Sequence, residues 1–286
     1  MGLAGNLAFV FLAGLVTDLA TGLGALPFFY TDEISDRWNV ALWGLASGIM
    51  VSASLFGLFN EGLAYSTGLP LLLVGGIVAG AALVEVSDRV LDRIDVGGHA
   101  VEADGGDHAH DEHRLEAEAF AAGDLRKLAL ILGILTIHSF PEGVAVGVSF
   151  AELGLTGGIP VLGFSVPVLA VFMTVAISIH NVPEGTAIAI PMRAMGLSNW
   201  RMVGAAVFSS LPQPIGAVIA FVFVRWAQSF LPFGFGFAAG AMVYLVATEF
   251  VPEALETGAD LPDGGHRALV AGFAAGVAVM LPLLFV

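Results

Sequence analysis

Two hexapeptides carry the residues best suited to chemistry: HSFPEG at 138–143 and HNVPEG at 180–185. They share His, Pro, Glu and Gly, and each is followed by an alanine, Ala145 and Ala187. Residues four apart in a helix project from one face, so His138 lies above Glu142 and His180 above Glu184. Two imidazoles and two carboxylates then converge between neighbouring helices, a donor set that suits zinc, iron(II) and manganese. Each motif falls about halfway along an apolar block, where an uncompensated carboxylate costs about 3 kcal/mol. A bound dication removes that penalty, because it favours the ionised form of both glutamates. A single buried His or Glu would be explained by an interhelical hydrogen bond; four ionisable groups in matched positions serve no packing purpose. Pro141 and Pro183 have no N–H for the carbonyls of Ile137 and Ile179. A kink baring a carbonyl beside each histidine is therefore expected, which a membrane tolerates where the helix lines a polar cavity.

The elements that position these motifs follow from the hydropathy pattern. Of 286 residues, 57% are hydrophobic and 12% charged, too few charges to cover a soluble domain of this length. Eight apolar blocks lie near 3–30, 39–64, 69–92, 126–150, 160–192, 199–227, 231–256 and 266–286. All are long enough to cross about 30 Å of hydrocarbon and are read as helices. The first has no basic leader or small-residue cleavage site and is read as a span, not a signal peptide. The expectation is an all-α integral membrane protein, a single transmembrane domain over 1–286 with eight transmembrane helices. Cysteine is absent, which excludes disulfides, thiolate ligands and cysteine nucleophiles. A net charge of −15 argues against nucleic acid as a partner.

With both termini extracellular, nine of the ten basic residues fall in cytoplasmic loops and only Arg225 falls outside, as the positive-inside rule expects. The segment 85–124 holds 12 of the 25 acidic residues. Its part 93–124, with His99, His108, His110 and His113, reads as a cytoplasmic, solvated, flexible loop between spans three and four. These histidines either capture zinc there or belong to a plain polar linker. WGLASGIMV (43–51) matches FGFAAGAMV (235–243) at an offset of 192 residues, which also pairs Glu61 with Glu253. Together with the paired motifs this suggests inverted internal repeats, spans 1–3 and 6–8 around spans 4–5, with a binding site where the halves meet. For the glycines alone, close helix packing is the simpler reading.

HSFPEG and HNVPEG resemble the paired motifs of spans four and five in the ZIP (Zrt- and Irt-like) metal transporters. ATGLGALPF (20–28), GIMVSASLF (48–56), SSLPQPIGA (209–217) and FAAGAMVYL (237–245) are similar to ZIP segments as well. The resemblance implies eight helices, both termini outside, and multi-pass insertion in the plasma membrane. It also implies uptake of divalent metal, zinc first, with Fe2+, Mn2+ or Cd2+ as other substrates and no cofactor. It carries His138, Glu142, His180 and Glu184 over as primary ligands, the two glutamates bridging. Met50 matches a position that offers a thioether to the first metal; Ser139, Asn181 and Gln213 match positions of a second. Position 139 is often Asn and position 213 often Glu in relatives with two metals, so one firm site and one vestigial or regulatory site are expected. The expected partners are the metal ions and the lipid bilayer, with a homodimer as one open assembly.

A metal-dependent intramembrane hydrolase is the competing reading, in which a metal activates water beside Glu142 or Glu184. No H-E-x-x-H occurs, and the motif prolines would distort a protease-like helix. A channel for the same ions differs from a carrier only in kinetics. Glu61, Glu249 and Glu253 near the span ends either line the route or are interfacial charges. Asp18 in span one has no assigned role, and a helix–helix hydrogen bond is the ordinary explanation for it.

Overall fold

Hydrocarbon offers no hydrogen-bond partner to the backbone, so uncharged apolar blocks fold as helices that satisfy themselves. The computed structural model describes residues 2–91, 121, 139–154 and 158–282 and is nearly all helical. Helix α1 is Leu3–Leu23, followed by a 3-10 turn at Leu26–Phe29. Helix α2 begins at Asp36–Ser52, passes through a π-helical turn, Ala53–Phe59, and continues as Asn60–Ala64. Helix α3 is Leu71–Leu91 and α4 comprises residues 139–149. After a short hairpin comes α5, Val168–Ala194. Helix α6 is in two halves, Asn199–Ser209 and Pro212–Trp226. Helix α7 runs from Leu231–Leu245 through a π-helical turn, Val246–Phe250, into Val251–Thr257, and α8 is His266–Met280. Among the described residues, five helical runs are long and apolar enough to cross a membrane: Leu3–Leu23, Asp36–Ala64, Val168–Ala194, Asn199–Trp226 and Gln228–Thr257. Two more, Leu71–Ser87 and His266–Met280, are apolar but shorter. Along α1, Leu12, Val16, Leu19 and Leu23 form an exposed apolar stripe, while Val10, Gly14, Thr17, Asp18 and Thr21 are buried opposite it.

Glycine decides which helices meet. Gly44 and Gly48 of α2 press on the carbonyls of Leu269 and Phe273 in α8, and Gly272 and Gly276 of α8 press on those of Ala41 and Leu45 in α2. The same device joins α7 to α3. Gly236 and Gly240 lie on the carbonyls of Leu73 and Ile77, and Gly76 and Gly80 on those of Phe233 and Phe237. A Cβ at any of these eight positions would collide with a backbone oxygen, so no small rotamer change relieves it. The π-helical turns of α2 and α7 also fall at corresponding places under the offset of 192 residues.

Adjacent glycines on α3 make the packing testable. Gly76 faces Phe233, whereas a Cβ on Gly75 meets nothing within 4 Å. Gly76→Ala is expected to cost about 1–3 kcal/mol as an overpacked interface. Gly75→Ala is expected to be neutral or to gain up to about 1 kcal/mol of helix propensity. Thermal unfolding of the two variants in detergent checks the contrast; equal stability would mean that α3 and α7 do not pack through Gly76.

Two features depart from the expectation of uninterrupted helices. The block expected as helix over 160–192 begins instead with an antiparallel hairpin, Ile159–Val161 paired with Phe164–Val166, turned by Leu162 and Gly163 at positive φ. Gly163 and β-branched neighbours favour a hairpin, and an apolar run this short has no period to separate strand from helix. The block 199–227 is broken at Ser210–Leu211, because Pro212 and Pro214 remove the N–H donors on either side of Gln213. By contrast, α5 continues as one helix through Pro183 and Pro191. The loop 93–124, apart from residue 121, lies outside the described residues, its four histidines included.

Candidate metal centre

The four-residue spacing of the motif works as geometry requires: His180 Nε2 lies 3.3 Å from Glu184 Oε1 on the same face of α5. From α4, Glu142 Oε1 approaches the same nitrogen to 2.9 Å. One ligand atom from each of the three residues lies within 4.8 Å of the others. Tetrahedral coordination with bonds of about 2.0–2.1 Å needs ligand atoms about 3.3 Å apart. The His180–Glu142 and His180–Glu184 separations are already at that length.

Burial within the trio is uneven, and the difference matters for access. The side chains of His180 and Glu142 are 0% and 2% exposed, whereas that of Glu184 is 17% exposed. Glu184 is therefore the most accessible of the three. The imidazole of His180 is stacked on Phe250 from the π-helical turn of α7, ring centroids 5.3 Å apart at an interplanar angle of 20°. Its Nδ1 has no hydrogen-bond partner among the described residues.

The motif glycines bring the flanking helices in. Gly143, next to Glu142, packs on the backbone of Gln213 in α6, and Gly185, next to Glu184, packs on the carbonyl of Thr21 in α1. That close approach places Gln213 against the centre. Its Nε2 donates a hydrogen bond to Glu142 Oε2, and its Oε1 accepts one from Asn181 Nδ2 at 3.0 Å. Asn181 Nδ2 also donates to the Thr17 carbonyl at 2.7 Å, and Asn181 Oδ1 has no partner among the described residues. A continuous polar chain thus runs from α1 through α5 and α6 to Glu142 on α4.

The remaining candidates occupy different surroundings. Ser139 donates to the Ser209 carbonyl at 3.2 Å, at the break of α6, so its hydroxyl is engaged in holding α4 to α6. Met50 is fully buried in the apolar core that also contains Ile177 and Phe250. His138 lies outside the described residues. Glu253 is buried, which separates it from an ordinary interfacial charge. The Thr17 and Ser209 carbonyls and the Phe250 ring were not legible as parts of the centre. Backbone acceptors carry no residue signature, and Phe250 is one of 21 phenylalanines. The doubled Pro212–Gln213–Pro214 was the one visible sign that α6 opens here.

Comparison with known proteins places this geometry in context. The family model described as "ZIP Zinc transporter" matches residues 84–284. Zinc transporter GufA of Myxococcus xanthus is 32% identical over 250 residues, covering 85% of this chain and 87% of that protein. Zinc transporter ZIPB of Bordetella bronchiseptica is 32% identical over 278 residues, covering 96% of this chain and 80% of its own. A protein of Arabidopsis thaliana described provisionally as a zinc transporter is 36% identical over 247 residues; the match takes in 86% of this chain but 35% of that longer protein.

Proposed function

From the premise that this chain belongs to the ZIP zinc transporter family, we propose that it takes zinc up across the plasma membrane through Glu142, His180 and Glu184, with His138 as a fourth ligand. The observation that carries the reading is the His180 Nε2 atom held between carboxylates from two helices at 2.9 and 3.3 Å. An arrangement that spans two helices changes when the helices move, as alternating access requires. The ion exchanges water for these ligands from the side of Glu184, and a shift of the helices releases it to the other face. Binding has to strip the hydration shell yet stay weak enough to let the ion go, and a site of imidazole and carboxylate meets both demands better than thiolate. Iron(II), manganese and cadmium suit the same donors and are secondary substrates in this reading. Loop charges support the orientation, with both termini outside and 93–124 in the cytoplasm.

Membership of a family of transporters sets the hydrolase aside. The test is uptake of radioactive zinc into proteoliposomes, comparing native protein with Glu142→Ala combined with Glu184→Ala. Native uptake should saturate with zinc, and the double variant should fall to the level of empty vesicles. Non-saturating flux would make the protein a channel, and equal uptake by the double variant would remove these residues from the path.

A further inference from the structure

A histidine that binds metal normally has its second ring nitrogen tied to a carboxylate, a carbonyl or water, which fixes the orientation of the ring. His180 departs from that pattern. Its Nε2 faces Glu142 and Glu184 at 2.9 and 3.3 Å, while its Nδ1 has no hydrogen-bond partner among the described residues. The two carboxylates fix which edge of the imidazole points to the ion. They leave the tilt of the ring to be set by something else, because the torsion next to an imidazole is soft.

Phe250 stands in the place where the tilt is decided. Its ring is stacked on the imidazole, centroids 5.3 Å apart and planes 20° apart. Trp43 of α2 meets the same phenyl ring at 4.9 Å and 50°. Trp43 is buried and its Nε1 has no partner among the described residues, so the indole is placed by its ring and not by a hydrogen bond. The backbone around Phe250 is unusual too. Phe250 closes the π-helical turn Val246–Phe250, just before Pro252, which has no N–H for the carbonyl of Thr248. Such turns are rare and fall frequently at functional sites. The internal repeat supplies a control. Its offset of 192 residues pairs Phe250 with Leu58, fully buried in the π-helical turn of α2. An aliphatic side chain fills that position, so packing alone does not call for a ring at 250.

We propose that Phe250, backed by Trp43, is a positioning residue for zinc: its ring holds the His180 imidazole in the plane that aims Nε2 at the ion, in place of a hydrogen bond at Nδ1. The substitution has a consequence for release. Gly143 and Gly185 join α4 and α5 to α6 and α1, whereas α7, which carries Phe250, is joined through its glycines to α3. The stack therefore lasts only while α5 and α7 keep their present register. A shift of one against the other loosens the imidazole and weakens the grip on zinc.

The proposal rests on zinc being held at His180, so the ring and the ion are measured separately. In zinc-free protein with isotope-labelled histidine, the His180 magnetic-resonance signal is identified by its loss in His180→Gln. It should be displaced by the ring current of Phe250 and return towards the ordinary histidine position in Phe250→Leu. Competitive titration of folded, purified protein should show zinc held about tenfold more weakly or worse by Phe250→Leu, the usual loss for a residue that orients a metal ligand. Phe250→Tyr keeps a ring and should restore most of that affinity. In proteoliposomes Phe250→Leu should raise KM by a similar factor and leave the maximal rate unchanged, as when binding alone is lost. Trp43→Leu should weaken binding by less, and adding it to Phe250→Leu should cost nothing further, since both act through one ring. Should Phe250→Leu fail to fold, Trp43→Leu carries the test with the same signal and the same titration. An undisplaced His180 signal in native protein overturns the proposal, as does native zinc affinity in Phe250→Leu. Equal weakening by Phe250→Leu and Phe250→Tyr, or losses at Trp43 and Phe250 that simply add, overturns it as well. A displaced signal in a native protein that binds no zinc keeps the stack and sinks the zinc reading instead.

Discussion

His180→Gln should abolish zinc uptake and weaken zinc binding by about 100-fold or more. Loss of a partner that merely orients a metal ligand already costs about 10–100-fold in affinity, and in the proposed site His180 is itself the central ligand. Glutamine is the informative choice because its amide still donates to a carboxylate in the place of Nε2, while its nitrogen is no metal ligand. Without any donor there, two carboxylates within 4.8 Å of the lost nitrogen and of each other face one another almost unscreened. At an effective dielectric constant near 20 that repulsion is about 3–4 kcal/mol. His180→Leu should therefore fail in folding as well as in transport, whereas His180→Gln should fail in transport alone. Size-exclusion chromatography and thermal unfolding separate the two, and zinc uptake at the native rate by folded His180→Gln would show that the ion does not pass this centre.

The reason this centre was legible in the sequence is that both determinants of its geometry are short-range. The pair His180 and Glu184 is set by helical pitch, and the repetition of the motif at Glu142 supplies the facing carboxylate. The motif glycines Gly143 and Gly185 were visible too, but their partners, Gln213 and Thr21, are 70 and 164 residues away, and nothing local names them. The resemblance to ZIP segments marked Gln213 as a departure; only the fold shows that its amide bonds Glu142 and Asn181 at once. Periodicity misread 159–166, because Ile, Val, Leu and Phe in a run of eight fit a buried strand as well as a helix turn. It also merged the halves of α6, although Pro212 and Pro214 were in plain view, since prolines are tolerated in membrane helices and α5 does run through two of them. Whether a proline breaks a helix is decided by what neighbouring groups offer the freed carbonyls, a tertiary matter. Beside the break, the Ser209 carbonyl accepts from the hydroxyl of Ser139.

Gln213→Glu should convert a protein that binds one zinc tightly into one that binds two. In the native chain the Gln213 amide N–H occupies Glu142 Oε2, the oxygen that faces away from His180. A neutral donor thus stands where a second cation would otherwise satisfy that oxygen. The same amide accepts from Asn181, and Asn181 Oδ1 is left without a partner among the described residues, pointing to a site that has its frame but not its charge. A carboxylate at position 213 supplies the charge. It keeps an acceptor for Asn181 Nδ2, releases Glu142 Oε2, and leaves Asn181 Oδ1 free to complete the set. The metal-free variant should be the less stable protein, because a carboxylate about 4 Å from Glu142 adds about 4 kcal/mol of repulsion at an effective dielectric constant near 20. Zinc should restore that stability, so the rise in unfolding temperature on adding zinc should exceed the native rise. Calorimetric titration together with elemental analysis of the washed protein measures both the stoichiometry and the affinities. Two equally tight zinc ions in native protein, or an unchanged single ion in Gln213→Glu, would show that position 213 does not decide the occupancy of the second site.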